Sequence, residues 1–179
     1  ITISTGIGGG VLADGRLLLG RSGNAAEVGH MTVDTTYNLA CSCKKGIGHW
    51  DGYASGRNIP KFFRVWARAH RKKISAMPKY AKDIFDRVKS GDAAALAFLD
   101  VLHRLNARAI SDVIAAYDPE LITIGGSVML MNAQLLLSGI KKYVDHYLKI
   151  PEIRVTRLGD DVALLGAAAA VLAQNKGRQ

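Results

Sequence analysis

Apolar positions in the first twenty residues come in short runs, at 1–4, 7–13 and 16–19. Short apolar runs bounded by glycine and turn residues predict strands. Asp14-Gly15 separates the second run from the third, and that dipeptide suits a two-residue hairpin turn. From Gly20 to about Gly48 the pattern dissolves into Gly, Asn and Cys, so a loop region is expected. The period then lengthens. Residues 51–74, 79–89 and 92–117 repeat apolar positions every three or four residues. Pro60 and Pro78 mark breaks or starts, and Ser90-Gly91-Asp92 offers a stop followed by a cap. Asp118-Pro119 ends the third helical stretch. Residues 121–124 form a short apolar run closed by Gly125-Gly126, which predicts a buried strand. A helix over 131–148, a strand over 153–156 and an alanine-rich helix over 161–174 follow. Strands alternating with helices imply parallel pairing through right-handed crossovers, hence an α/β class.

Several side chains follow from these periods. Ile59, Phe62, Phe63, Trp66 and His70 fall on one helical face, while Arg57, Lys61, Arg64, Arg68 and Arg71 fall on the other. Leu96, Leu99, Leu102 (or His103), Ala107, Ile110 and Ile114 predict the core stripe of the third helix. Trp50 opens a helix and is expected in the core, and Met129, Leu130 and Met131 are expected to pack beneath the Gly-Gly segment. His103 and His146 lie within helical patterns, and Asp34 has no evident partner.

Charge changes this picture in one place. Lys plus Arg is 24 and Asp plus Glu is 15, a net +9. Between Arg57 and Lys89 eleven basic residues face only Asp83 and Asp86, so this window carries the whole excess. It reads as a solvated basic face over a packing stripe, and no nucleic-acid-binding motif accompanies it. At 179 residues with 49% hydrophobic and 22% charged, the chain supports one sizeable core, as a domain or as a lobe of a larger protein. Disordered and disulfide-dense classes are excluded. The longest apolar run, 162–173, falls short of the roughly 20 residues of a membrane span. No membrane partner is therefore expected. The chain begins inside a strand pattern and reads as truncated.

Two constellations carry chemistry. Thr5-Gly6-Ile7-Gly8-Gly9-Gly10 follows the first strand run, where glycines let backbone N–H groups approach a phosphate and Thr5 adds a hydroxyl. No helix opens directly after it and no Lys-Ser/Thr follows, so it is neither a P-loop nor a dinucleotide fingerprint. Taken alone it is a weak signal, and a tight turn with a bulge is the other reading. His30, Cys41, Cys43 and His49 supply two imidazoles and two potential thiolates within 20 residues. Such a set suits a closed tetrahedral zinc site of structural type, and the other reading is two free thiols beside incidental histidines. Cys41 and Cys43 are too close for ordinary disulfide geometry, which points to a reducing compartment or a metal.

Together these segments resemble the ROK family of repressors, uncharacterised reading frames and sugar kinases. The resemblance rests on residues 5–10, then Gly20-Arg21-Ser22-Gly23-Asn24-Ala25-Ala26-Glu27-Val28-Gly29-His30, Cys41-Ser42-Cys43, Gly48-His49-Trp50-Asp51 and Tyr53-Ala54-Ser55-Gly56. It continues through residues 118–127, Asp-Pro-Glu-Leu-Ile-Thr-Ile-Gly-Gly-Ser, and Gly166-Ala167-Ala168. The resemblance implies a C-terminal lobe, residues 1–179, of an actin-like, ribonuclease H-like two-lobed ATPase fold, with a zinc loop near 30–50. By the same resemblance, Thr5, Gly6, Gly8, Gly9 and Gly10 would meet ATP phosphates, and Gly125 and Gly126 the adenosine. Glu27, His30 and Asp51 would bind sugar hydroxyls, and His30 would also ligate zinc with Cys41, Cys43 and His49.

The sequence departs from the family pattern in places. His49 stands where a third cysteine is usual, Lys44-Lys45 adds a residue, Asp51 is one methylene shorter than the usual Glu, and Ala26 replaces a Gly. The aspartate base and the first phosphate loop of such kinases are not in this chain, so the polypeptide alone is expected to be inactive. The resemblance implies a cytoplasmic hexose kinase, glucokinase-like, using ATP with Mg²⁺, carrying structural Zn²⁺, and paired as a homodimer. An N-acylhexosamine kinase and the effector-binding half of a sugar-responsive repressor are the alternatives.

Overall fold

A computed structural model of the chain describes residues 1–176, with side-chain surroundings for 1–159 and 161–172. Two-residue strands open the fold. β1 (Thr2–Ile3) pairs antiparallel with β2 (Ile7–Gly8), Ile3 opposite Ile7. β3 (Leu12–Ala13) and β4 (Arg16–Leu17) form a separate hairpin, with Asp14 and Gly15 both at positive φ as the Asp-Gly signal requires. The expected strand over 7–13 is thus divided, because Gly9 turns in against the Ala26 carbonyl and the Val28 side chain.

Further along, β5 (Leu121–Ile124) pairs in parallel with β6 (Glu152–Val155), as the alternation of strands and helices predicts. A parallel bridge between Thr2 and Gly125 then ties β1 to the end of β5. Ile3 N donates to Gly125 O (2.8 Å) and Gly125 N donates to Ile1 O (2.9 Å). The glycine turn and the Gly-Gly segment are therefore neighbours in one hydrogen-bonded frame.

Among the described residues there are seven α-helices, α1 (Asp51–Ala54), α2 (Ile59–Ala69), α3 (Ala81–Lys89), α4 (Ala93–Tyr117), α5 (Ser127–Met131), α6 (Ala133–Tyr143) and α7 (Val162–Lys176), and α7 stands largely exposed. The Asp92 carboxylate accepts from Ala95 N at the start of α4, and Asp118 in the left-handed region ends it before Pro119. The single helix expected over 51–74 is two. Asn58 Nδ2 folds back onto Asp51 O (2.9 Å) and Ser55 Oγ (3.0 Å), Ser55 is extended, and Pro60 restarts the helix. The helix expected over 131–148 instead begins at Ser127, breaks at Asn132, whose amide donates to Val128 O, and stops at extended Val144.

The core is an aromatic cluster between α2 and α4. Phe98 lies 5.0 Å from Phe63, 5.1 Å from Phe62 and 5.5 Å from Trp66, ring centre to ring centre. Trp50 is fully buried and its Nε1 donates to Asn106 Oδ1 (2.7 Å), so it is a core residue as expected. Three expectations fail. Leu96 and Met131 are exposed, and His70 sits at the rim on the Trp66 face. His103 takes the stripe position against α6, its Nε2 donating to Leu135 O (2.8 Å) with its ring on the Gly139 backbone. Among the described residues no helix is long and apolar enough to cross a membrane.

Candidate sugar, phosphate and metal site

The irregular segment 20–50 builds one side of the site. A 3₁₀ turn at Val28–His30 presents His30 beside Glu27, with His30 Nε2 3.6 Å from Glu27 Oε2. This turn lies hard against β2. A methyl on Gly29 would come within 2.2 Å of Ile7 O, so only glycine allows the approach. The other ring nitrogen of His30, Nδ1, points the opposite way. It lies 3.3 Å from His49 Nδ1 and 3.6 Å from Cys41 Sγ, while Cys43 Sγ is 3.8 Å from His49 Nδ1.

All four donor atoms lie within 4.8 Å of one another, an arrangement that could hold one metal ion. The four residues singled out in the sequence are thus brought together. The sequence pattern missed Gly46, over which the His49 ring lies. A methyl there would sit 2.1 Å from the His49 ring atoms.

Electrostatics around the cluster differ from donor to donor. Burial pushes the Cys41 thiol up, with nearby Asp51 adding to it. Exposed Cys43 is held below its ordinary value, chiefly by the Lys45 backbone N–H. Desolvation and the facing His30 ring lower His49, favouring the neutral imidazole that a metal needs. Asp34, which had no evident partner, is buried beneath this loop. Its desolvation is outweighed by the N–H groups of Tyr37 (2.8 Å) and Thr36 and by the Tyr53 hydroxyl, so its carboxyl is held low.

Asp51 links the two halves of the site. It opens α1, is only 6% exposed, and its Oδ1 accepts from Ile7 N at 3.0 Å. Oδ2 lies 3.3 Å from Asn58 Nδ2 and 3.9 Å from Cys41 Sγ. Both carboxylate oxygens therefore have a partner within the protein, Ile7 N on Oδ1 and Asn58 Nδ2 on Oδ2. Asn58, which no motif marked, is the other residue that fixes it.

The glycine turn open to a ligand is narrower than the run of glycines suggests. Thr5 and Gly6 form the exposed turn between β1 and β2, held by Ser4 N donating to Gly6 O (2.9 Å). Among the described residues the Thr5 and Gly6 N–H groups have no acceptor, so they are available to an anion. Ser4 Oγ lies 3.1 Å from Ser127 Oγ, which places this turn beside Gly125, Gly126 and the start of α5. Gly8, Gly9 and Gly10 lead away from the turn, toward Ala26 and the β3–β4 hairpin. The structure thus joins Thr5 and Gly6 with Gly125 and Gly126 and sets Gly9 and Gly10 apart.

A metal-capable His/Cys cluster, a glutamate and histidine on a tight turn, and an open glycine turn are thus gathered in one α/β frame. The sequence profile of the ROK family matches residues 1–174, and the chain belongs to that family. A glucokinase of Pyrobaculum calidifontis is 37% identical over 171 residues, covering 94% of this chain and 55% of the relative. In the solved structures, a ROK hexokinase from Thermus thermophilus superposes with a TM-score of 0.78 at 30% identity, over 98% of this chain and 57% of that one. A ROK family glucokinase from Streptomyces griseus, in complex with glucose and AMPPNP, gives 0.75 at 27% identity, over 94% and 58%. The chain spans about half the length of the curated relatives it matches.

Proposed function

We propose that the protein is an ATP-dependent hexose kinase, glucokinase-like, of which this chain is the C-terminal lobe. The observation that carries the reading is the grip on Ile7. Asp51 holds its N–H and Gly29 abuts its carbonyl, so the turn bearing Glu27 and His30 is locked to the turn bearing Thr5 and Gly6. A sugar held at Glu27 and His30 would thereby lie next to phosphates held by free backbone N–H groups, the proximity phosphoryl transfer needs.

In this reading the His30, Cys41, Cys43 and His49 set holds a structural zinc. Tetrahedral zinc at ordinary bond lengths spaces nitrogen pairs by about 3.3 Å and nitrogen–sulfur pairs by about 3.6 Å. Three of the six separations here are 3.3, 3.6 and 3.8 Å, and all six lie within 4.8 Å. Bound zinc would fix the loop and neutralise the thiolates. His30 then keeps Nδ1 for the metal and presents Nε2–H, beside Glu27, to a sugar hydroxyl. Asp51 acts as a positioning residue, keeping the Ile7 peptide in register. Thr5 and Gly6 bind phosphate oxygens, Gly125 and Gly126 border the adenosine, and Mg²⁺ accompanies the ATP. The general base lies outside this chain. A reducing cytoplasm suits the two thiolate donors.

Sugar-dependent ADP release tests this reading, using MgATP and a panel of hexoses with the full-length protein and with this 179-residue chain alone. The full-length protein should turn over and the chain alone should not. Glu27→Gln and His30→Gln should raise the sugar KM by roughly tenfold or more, the loss of a charge-assisted hydrogen bond. Sugar binding without turnover in the full-length protein, together with operator-DNA binding, would replace the kinase by the repressor reading.

A further inference from the structure

The open turn at Thr5 and Gly6 lies over a buried negative charge. A methyl on Gly6 would sit 3.3 Å from Asp51 Oδ1, so the carboxylate stands directly behind the turn. Asp51 is held by Ile7 N and Asn58 Nδ2 and has no ion-pair partner among the described residues. A phosphate on the free Thr5 and Gly6 N–H groups therefore meets a like charge just beyond them, in poorly solvated surroundings. Two neutral N–H dipoles do not offset the several charges of a triphosphate there. A fixed cation is needed on the solvent side.

Arg57 is the cation in place. Three segments border the turn: 1–10, which contains it, 51–58, which holds Asp51, and 125–132, tied on through Gly125 and Ser127. Across all three the charged side chains are Asp51 and Arg57. The neighbouring 3₁₀ turn adds acidic Glu27, and His30, whose Nδ1 faces the metal set.

The backbone pins Arg57 against the turn and leaves its head group unengaged. Gly56 N donates to Ser4 O (2.7 Å) and Arg57 N to Thr5 O (3.4 Å). A methyl on Gly56 would lie 3.0 Å from both Ser4 O and Val128 Cγ2, so glycine permits this approach. On the other side buried Asn58 is anchored to Asp51 O and Ser55 Oγ. Arg57 itself is exposed, with no ion-pair partner among the described residues. An exposed, unpaired arginine contributes little to stability, so a fixed backbone here serves a ligand. Lys61, Arg64 and Arg68 carry the same charge but stand further on, along the exposed face of α2.

We propose that Arg57 is a catalytic residue of the phosphoryl transfer, its guanidinium bonding oxygens of the ATP terminal phosphate opposite the Thr5 and Gly6 N–H groups. This rests on the kinase reading above. In the transfer the sugar hydroxyl oxygen bonds to the terminal phosphorus and the bridging P–O bond to ADP breaks. The electron pair of that bond leaves with ADP, and the hydroxyl proton goes to the base outside this chain. Charge shifts onto the bridging oxygen as it leaves, and the planar fork of arginine meets two phosphate oxygens at once. The contact therefore tightens in the transition state and acts mainly on kcat.

The test compares the full-length protein with Arg57→Gln, Arg57→Lys and, as a control on α2, Lys61→Gln. Arg57→Gln should lower kcat with MgATP roughly a hundredfold, and Arg57→Lys should recover part of the loss. Lys61→Gln should keep kcat within about twofold. Calorimetric affinities localise the contact: AMPPNP should bind Arg57→Gln roughly tenfold more weakly, while ADP affinity and the thermal midpoint stay unchanged. Wild-type kcat in Arg57→Gln would overturn the proposal, and an equal loss in Lys61→Gln would replace it by the net charge of α2. Equal weakening of AMPPNP and ADP would place the arginine away from the terminal phosphate and overturn it too. A lower midpoint without rescue by Arg57→Lys would make the residue structural. If no hexose supports turnover in the full-length wild type, the kinase reading fails and the catalytic role falls with it. Equal AMPPNP affinities of wild type and Arg57→Gln would then remove the contact as well, whereas a tenfold loss confined to AMPPNP would leave Arg57 as a phosphate ligand.

Discussion

Replacing Asp51 by Ala separates two uses of that carboxylate. In the structure its Oδ1 accepts from Ile7 N (3.0 Å) and Oδ2 from Asn58 Nδ2 (3.3 Å), at a site only 6% exposed. Truncation removes charge-assisted hydrogen bonds worth about 1.5–3 kcal/mol and leaves the Ile7 N–H without an acceptor, at about 1–3 kcal/mol. These terms overlap, because the second is part of what the bond was worth. A loss of about 3 kcal/mol is expected. For a unit of this size that lowers the thermal midpoint by about 6–12 °C. Asp51→Asn keeps an acceptor for Ile7 and should lose about a third of that amount. Urea unfolding of wild type and both variants gives the free energies, and scanning calorimetry gives the midpoints. If Asp51 instead spends its carboxylate on a sugar hydroxyl, Asp51→Ala would raise the sugar KM while shifting the midpoint by less than about 2 °C. That outcome would refute the positioning argument.

Two further perturbations probe the metal loop and the helix packing. Gly46→Ala drives a methyl into the His49 ring, so bound zinc, read by mass spectrometry after gel filtration, should fall from one equivalent per chain to less than about half. Full occupancy in that variant would remove His49 as a ligand. His103 is held below its ordinary value of 6.5, by desolvation first, with Lys142 acting in the same direction and the Leu135 carbonyl and Asp100 opposing. Its folded value being depressed, the unfolded chain binds the proton first as pH falls. The contribution of His103 is present above pH 6.5 and is lost progressively below it, down through the folded value. Unfolding free energies at pH 8 and pH 5 should therefore differ more in wild type than in His103→Gln. Identical pH dependence would mean that His103 is equally protonated in both states.

Local features were legible in the sequence and long-range ones were not. The Asp-Gly hairpin, the 121–124 strand and the capped start of α4 depend on a few adjacent residues, and the sequence places each within a residue or two. The grouping of His30, Cys41, Cys43 and His49 was legible from residue type, since two His and two Cys within 20 residues suit one tetrahedral site. The break in the helix over 51–74 was marked only by Pro60, because its other cause, the Asn58 amide reaching Asp51 O and Ser55 Oγ, leaves no mark on hydrophobic period. Leu96 looked like core for a related reason. A 25-residue helix buries more than one stripe, and α6 claims the His103 side through the gap at Gly139. The commitment of Asp51 to Ile7, 44 residues earlier, is a tertiary fact with no local signature.

The shorter acid at position 51 also makes physical sense of the site. At a position 6% exposed, an added methylene would have to displace the Ile7 peptide, the Asn58 amide or Cys41, all within hydrogen-bonding range of the present carboxylate. Asp51 is thus sized for an inward task. Its neighbour Cys41 belongs to the metal set, and the Ile7 peptide it holds is pressed on its carbonyl side by Gly29, next to His30 of the same set. The His/Cys loop and the glycine turn therefore share one residue, Ile7, as a common wall. A disturbance of either has no soft element in which to dissipate before reaching the other, because close-packed interiors transmit displacement. In the proposed enzyme, loss of zinc should accordingly be felt at the phosphate turn as well as at the sugar.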